Sequence, residues 1–121
     1  MSILVSGGAG YIGSHTCVEL INVGYDIVVA DNLCNSSEEA VRRVERITGK
    51  AVPFVKAELC HENEVDGLFA QYPDISAVIH FAGLKAVGES VSKPLEYYTN
   101  NLVNSLVLLN AMRRHGVKNF V

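Results

Sequence analysis

The sequence has no run of basic residues, no apolar stretch of 18 residues and no basic-then-apolar leader. The first absence, in a chain of 121 residues with a net charge of −3, argues against non-specific binding to nucleic acid. The other two leave no membrane span and no secretory signal to read, so a cytoplasmic location is expected. Cys17, Cys34 and Cys60 are odd in number and form no C-x-x-C pair. Free thiols are expected, with neither a disulfide framework nor a metal centre. His15, His61, His80 and His115 lack ligand-like spacing, which points to structural or solvated roles. Repeats, low-complexity segments and linkers are also missing. What remains, 49% hydrophobic and 19% charged, is the composition of one globular domain at most.

One stretch organises the rest. Ile3-Leu4-Val5 reads as a buried strand running into Ser6-Gly7-Gly8-Ala9-Gly10-Tyr11-Ile12-Gly13. A helix follows with Ile12, Cys17, Leu20 and Ile21 on one face and Gly24 as its stop. Gly7 suits a tight turn, Gly10 lets backbone approach a pyrophosphate, and Gly13 lets helix and strand pack closely. The unpaired N–H groups of the helix start favour an anion. Asp26–Ala30 is a second strand, closed by Asp31, 18 residues beyond Gly13. An acid there is placed for the adenosine ribose hydroxyls and repels a 2′-phosphate, favouring NAD over NADP.

Further along, Ser36 and Glu39 have capping-box spacing and open a helix with Ala40, Val41, Val44 and Ile47 on its inner face. Arg42, Arg43, Glu45 and Arg46 form its solvated side. Ala51–Val55 is a short strand that Pro53 confines to a sheet edge. A helix with Val65, Leu68, Phe69 and Tyr72 leads to a fourth strand, Ser76–His80, and then to Phe81-Ala82-Gly83-Leu84-Lys85 at the carboxyl edge of the sheet. The last helix starts at Lys93-Pro94 with Leu102, Leu106, Leu109 and Met112 as its apolar stripe, and Val117–Val121 begins a fifth strand. Alternating strands and helices predict an α/β, Rossmann-type doubly wound parallel sheet of five strands, ordered 3-2-1-4-5, with helices on both faces.

The glycine turn resembles that of the extended short-chain dehydrogenase/reductases. Asp31-Asn32-Leu33-Cys34-Asn35-Ser36, His80 to Ser90, Lys93-Pro94-Leu95-Glu96-Tyr97-Tyr98 and Asn100-Asn101 narrow the resemblance to their UDP-glucose 4-epimerase family. The match runs along all 121 residues but over only about the first third of such an enzyme, so residues 1–121 are expected to be the N-terminal part of an NAD-binding Rossmann domain. The resemblance implies NAD as cofactor. Gly7, Gly10, Tyr11, Ile12 and Gly13 would meet the pyrophosphate, and Asp31, Asn32, Leu33, Cys34, Asn35 and Ser36 the adenosine ribose. Glu58 and Leu59 stand where the family usually has Asp-Ile, by the adenine, and Ala57 where it has Gly. Phe81, Ala82, Gly83, Leu84 and Lys85 would line the nicotinamide side, with Asn100 close to cofactor or substrate. Asn104 stands where the family has a small glycine.

The reaction implied is a hydride round trip at C4 of a UDP-hexose through a 4-keto sugar, in galactose metabolism, with a Tyr-x-x-x-Lys pair as the acid–base group. None of the five tyrosines here has a lysine four residues on: those positions hold His15, Val29, Ser76, Asn101 and Leu102. No catalytic residue is therefore assigned, the chain alone is expected to be inactive, and the catalytic segment and substrate domain are expected outside it. The isolated chain is expected to associate and to bind NAD weakly. The UDP-hexose, and a homodimer, belong to the intact enzyme; no nucleic-acid or membrane partner is expected. Two alternatives stand: an autonomous, non-catalytic NAD-binding module, and a fragment of another extended short-chain sugar-nucleotide enzyme such as a dehydratase.

Overall fold

The structure, a computed structural model, describes residues 1–121 except Lys85. Its elements alternate: β1 (Ser2–Ser6), α1 (Tyr11–Asn22), β2 (Asp26–Asp31), α2 (Glu38–Thr48), β3 (Phe54–Lys56), α3 (Glu62–Gln71), β4 (Ile75–His80), α4 (Val87–Ser92), α5 (Pro94–His115) and β5 (Asn119–Phe120). The five strands form one parallel sheet in the order β3-β2-β1-β4-β5, as the alternation predicts. β3 is an edge, as expected, but it begins at Phe54, so Pro53 precedes the strand instead of lying within it; the Pro53 carbonyl still accepts from Val29 N–H at 2.9 Å.

Side-chain alternation along the strands sorts the core into two layers. Leu4, Val28, Ala30 and Val78 face α3 and α5, meeting Val65, Leu68, Phe69, Leu108, Ala111 and Met112. Val5, Ile27 and Val29 face α1 and α2, meeting Cys17, Ile21, Val41 and Val44. The register places Ser6 opposite both Ala30 and His80. Three strands thus end level, and the loops leaving them share one rim of the sheet.

Several helix faces differ from the sequence reading. On α5 the buried residues are Tyr97, Asn104, Leu108, Ala111 and Met112, whereas Leu102, Leu106 and Leu109 are exposed. The inner face carries asparagines where it passes the rim, so hydropathy alone picks the wrong stripe. Ile12 is exposed because the first turn of α1 stands at the rim rather than over the sheet. Ile47, in the last turn of α2, is 69% exposed, since that helix is anchored through Val41 and Val44. The cap of α2 is Ser37, which accepts from Glu39 N–H at 3.2 Å, because Ser36 is turned onto Asp31. The six-residue α4 was not visible in the sequence; none of its residues is buried.

Candidate functional site

At the carboxyl rim, β1 passes into the glycine turn. Gly7 has φ +71°, and a Cβ there would lie 2.6 Å from Ala82 N, so a glycine is required on both counts. A Cβ on Gly13 would land on the Gly7 carbonyl and come within 2.9 Å of Gly8 Cα. Only glycine allows α1 to start this close to β1. Gly10 is the N-cap of α1; it offers no side-chain cap, and the first turn holds no acidic residue. The helix therefore presents its positive end to the rim without an internal anion.

Asp31, 7% exposed, closes β2 and organises the next loop. Its Oδ1 accepts from Leu33 N–H (2.9 Å) and Ser36 Oγ (3.2 Å), and its Oδ2 accepts from Ala9 N–H (3.2 Å). Oδ1 is thus filled, while Oδ2 keeps one lone-pair site for a ligand hydroxyl. Leu33 adopts φ 62° to make this turn and tucks its side chain against the core below. Across the rim, Glu58 accepts from Asn32 Nδ2 at 2.9 Å and from Cys60 N–H at 3.2 Å. Burial raises the Glu58 pKa, but the hydrogen bonds from Asn32 and Cys60 outweigh it and hold the carboxyl below its ordinary value.

The third side is the segment leaving β4. Leu84 N–H donates to Asn101 Oδ1 at 2.8 Å, and Asn101 Nδ2 returns a bond to the Leu84 carbonyl at 2.9 Å. Asn100 Nδ2 donates to the same Asn101 oxygen at 3.0 Å, and the Asn100 carbonyl and Oδ1 lie 3.7 and 3.8 Å from the Cys60 thiol. The Tyr97 hydroxyl donates to Glu89 (3.2 Å) and accepts from Ala86 N–H (3.2 Å), tying α4 to α5. Burial and then the Glu89 charge raise the Tyr97 pKa, so this tyrosine is no proton acceptor near neutrality. Burial and the Glu58 charge likewise keep the Cys60 thiol protonated, and burial alone pushes Cys17 up to about 12.

Together these segments enclose a cleft of about 450 Å³. It is bordered by Gly7, Gly10, Tyr11, Ile12 and Gly13 on one side, and by Asp31, Asn32, Cys34, Asn35 and Ser36 on the second. Ala57, Glu58 and Leu59 border it as well, as do Phe81, Ala82, Gly83, Leu84 and Asn100. Of the residues singled out in the sequence, Leu33 does not border the cleft, and Lys85 lies outside the described residues. Ala86, Glu89, Tyr97 and Asn104 border it without having been foreseen as site residues. Among the described residues no group of three or more His, Cys, Asp or Glu could hold a metal ion.

The model of the NAD dependent epimerase/dehydratase family matches residues 3–121. The chain belongs to that family. It is 62% identical over all 121 residues to a UDP-glucose 4-epimerase of Bacillus subtilis (strain 168), covering 35% of that protein. It superimposes with a TM-score of 0.96 and 52% identity on the UDP-glucose 4-epimerase of Bifidobacterium longum in complex with NAD+ and UDP, covering 99% of this chain and 36% of that one. The corresponding values are 0.94 and 48% for the Stenotrophomonas maltophila enzyme with NAD and formylated UDP-arabinopyranose, with 99% and 35% covered. The chain thus spans about a third of the length of these relatives. Dependence on NAD is a property of the epimerase/dehydratase family, and the rim fits such a dinucleotide: an uncapped helix start for its pyrophosphate and an acid with one open acceptor site 18 residues past Gly13.

Asn104 could have been found from its spacing of three from Asn101, which puts both amides on one helix face toward the segment leaving β4. No helix of the described residues is long and apolar enough to cross a membrane.

Proposed function

We propose that these residues are the N-terminal, NAD-binding portion of a UDP-glucose 4-epimerase that interconverts UDP-galactose and UDP-glucose through a 4-keto sugar. The observation that carries this reading is the convergence of an uncapped helix start with Asp31 in one cleft. The α1 N-terminus takes the pyrophosphate through backbone N–H groups of Tyr11, Ile12 and Gly13. Asp31 Oδ2 accepts from an adenosine ribose hydroxyl, in a pocket too acidic for a 2′-phosphate. Phe81 to Leu84 and Asn100 form the wall beside the nicotinamide. When bound, NAD supplies the hydride acceptor and donor for inversion at C4. The UDP-hexose and the Tyr-x-x-x-Lys pair belong to the intact protein, which we place in the cytoplasm, without a nucleic-acid partner. Its assembly as a homodimer is supported by the exposed row Tyr98, Leu102, Leu106 and Leu109 on α5.

Joining residues 1–121 to the remaining two thirds of the Bacillus subtilis relative tests the reading. The chimera should convert UDP-galactose to UDP-glucose and carry NAD. A folded chimera that does neither would overturn it.

A further inference from the structure

We propose that Asn104 is a positioning residue for the nicotinamide-side wall of the cleft, acting through His80 and Ser6 on the Ala82 peptide; this role rests on the NAD-binding function proposed for the cleft. Asn104 is 3% exposed and Ser6 fully buried, yet neither is accounted for by packing. Asn104 Nδ2 donates to the Ala82 carbonyl at 3.5 Å, while its Oδ1 lies 3.2 Å from His80 Nε2. His80 Nδ1 lies 2.5 Å from Ser6 Oγ, and Ala82 N–H donates to that same oxygen at 3.4 Å.

The directions of these bonds follow from one choice. The Ala82 carbonyl accepts only, so it fixes the Asn104 amide with its NH2 toward Ala82 and its oxygen toward His80. Nε2 must then carry a proton, and in the neutral imidazole Nδ1 is left unprotonated to accept the Ser6 hydroxyl proton. With its proton committed to His80, Ser6 Oγ offers its lone pairs to Ala82 N–H. The peptides on both sides of Ala82 are thereby held, the N–H side from β1 and the carbonyl side from α5. Ser105 adds a second acceptor for Nε2 at 3.2 Å and is itself anchored to the Asn101 carbonyl at 2.9 Å.

What is held is part of the cleft. Ala82 borders it, and its N lies 2.6 Å from where a Gly7 Cβ would stand, so the wall and the glycine turn are in contact. Freed from Asn104, the Ala82–Gly83 peptide could rotate and change the distance between the wall and the pyrophosphate turn. The adenosine half, built on Asp31 and Glu58, shares none of these bonds.

The test uses the 121-residue chain, ADP as a probe of the adenosine half and NAD as a probe of the whole cleft. In Asn104→Leu, NAD affinity should fall about fivefold, the size of one lost neutral hydrogen bond, with ADP affinity changed less than about twofold. Asn104→Gly, which admits water, should show a smaller loss in the same direction and serves if the leucine variant fails to fold. Nitrogen-15 spectra of His80 should show the proton on Nε2 in the parent chain. Equal weakening of NAD and ADP, no change in either, or a proton on Nδ1 would overturn the proposal. A parent chain that binds neither probe would defeat the NAD reading and this role with it, while the His80 spectrum would still report the hydrogen-bond directions separately.

Discussion

Gly13, in the first turn of α1, lies against the carbonyl of Gly7 so closely that no side chain fits between them. Helix and strand therefore meet at backbone contact, and that contact sets where the uncapped N–H groups point. Gly13→Ala must push α1 away from β1, at a cost of about 1–3 kcal/mol in stability and more than about tenfold in NAD affinity. Gly67→Ala is the matched control. It sits inside α3 with nothing within 4 Å of a new Cβ, and should stabilise the chain by about 0.5–1 kcal/mol. Urea denaturation of the two variants checks both signs.

Asp31→Ala removes the acceptor for three loop donors as well as for the ribose. NAD affinity should drop by about 1.5–3 kcal/mol, and the preference over NADP should shrink. Calorimetric titration with the two dinucleotides checks this; an unchanged NAD affinity would remove Asp31 from the site.

Glu58 gives a pH prediction. Its folded pKa lies below the ordinary 4.5, so its contribution to stability is present above that value and disappears as the pH falls through the folded pKa. The stability difference between parent and Glu58→Gln should therefore be constant near neutrality and close up in acid. Denaturation curves from about pH 7 to about pH 3 measure it, and a gap that widens in acid would reverse the sign.

On α5, Leu108 is fully buried and Leu106 is 60% exposed. Leu108→Ala should cost about 2–5 kcal/mol. Leu106→Ala should stay within about 0.5 kcal/mol. Thermal unfolding of the two single variants is sufficient.

That pair of leucines also shows where the sequence misleads. Strand order and the glycine turn were legible because each rests on local chemistry: apolar runs and glycines at a tight approach. The ends of the short edge strands were not: β3 starts at Phe54, after Pro53, and β5 is only Asn119–Phe120. The inner face of α5 was not, because two of its residues there, Asn101 and Asn104, are polar and offset their burial through bonds to Leu84 and Ala82 far away in sequence. Spacing alone points to Ser36 with Glu39 as the cap of α2, but Asp31 takes the Ser36 hydroxyl and Ser37 caps the helix instead. Leu33 was read with its polar neighbours as part of the ribose loop, but its positive φ turns the side chain toward the core. In each case a contact across the fold decided what the local pattern left open.

Binding of NAD at the rim built by β1, β2 and β4 is the claim on which the rest depends. Titration of the nitrogen-15-labelled chain with NAD, followed amide by amide, tests it most directly. Saturable shifts are expected at Gly7 to Gly13, Asp31 to Ser36 and Phe81 to Leu84, with Arg113 to Phe120 unmoved. Saturable shifts confined to other residues, or none at millimolar NAD, would contradict it.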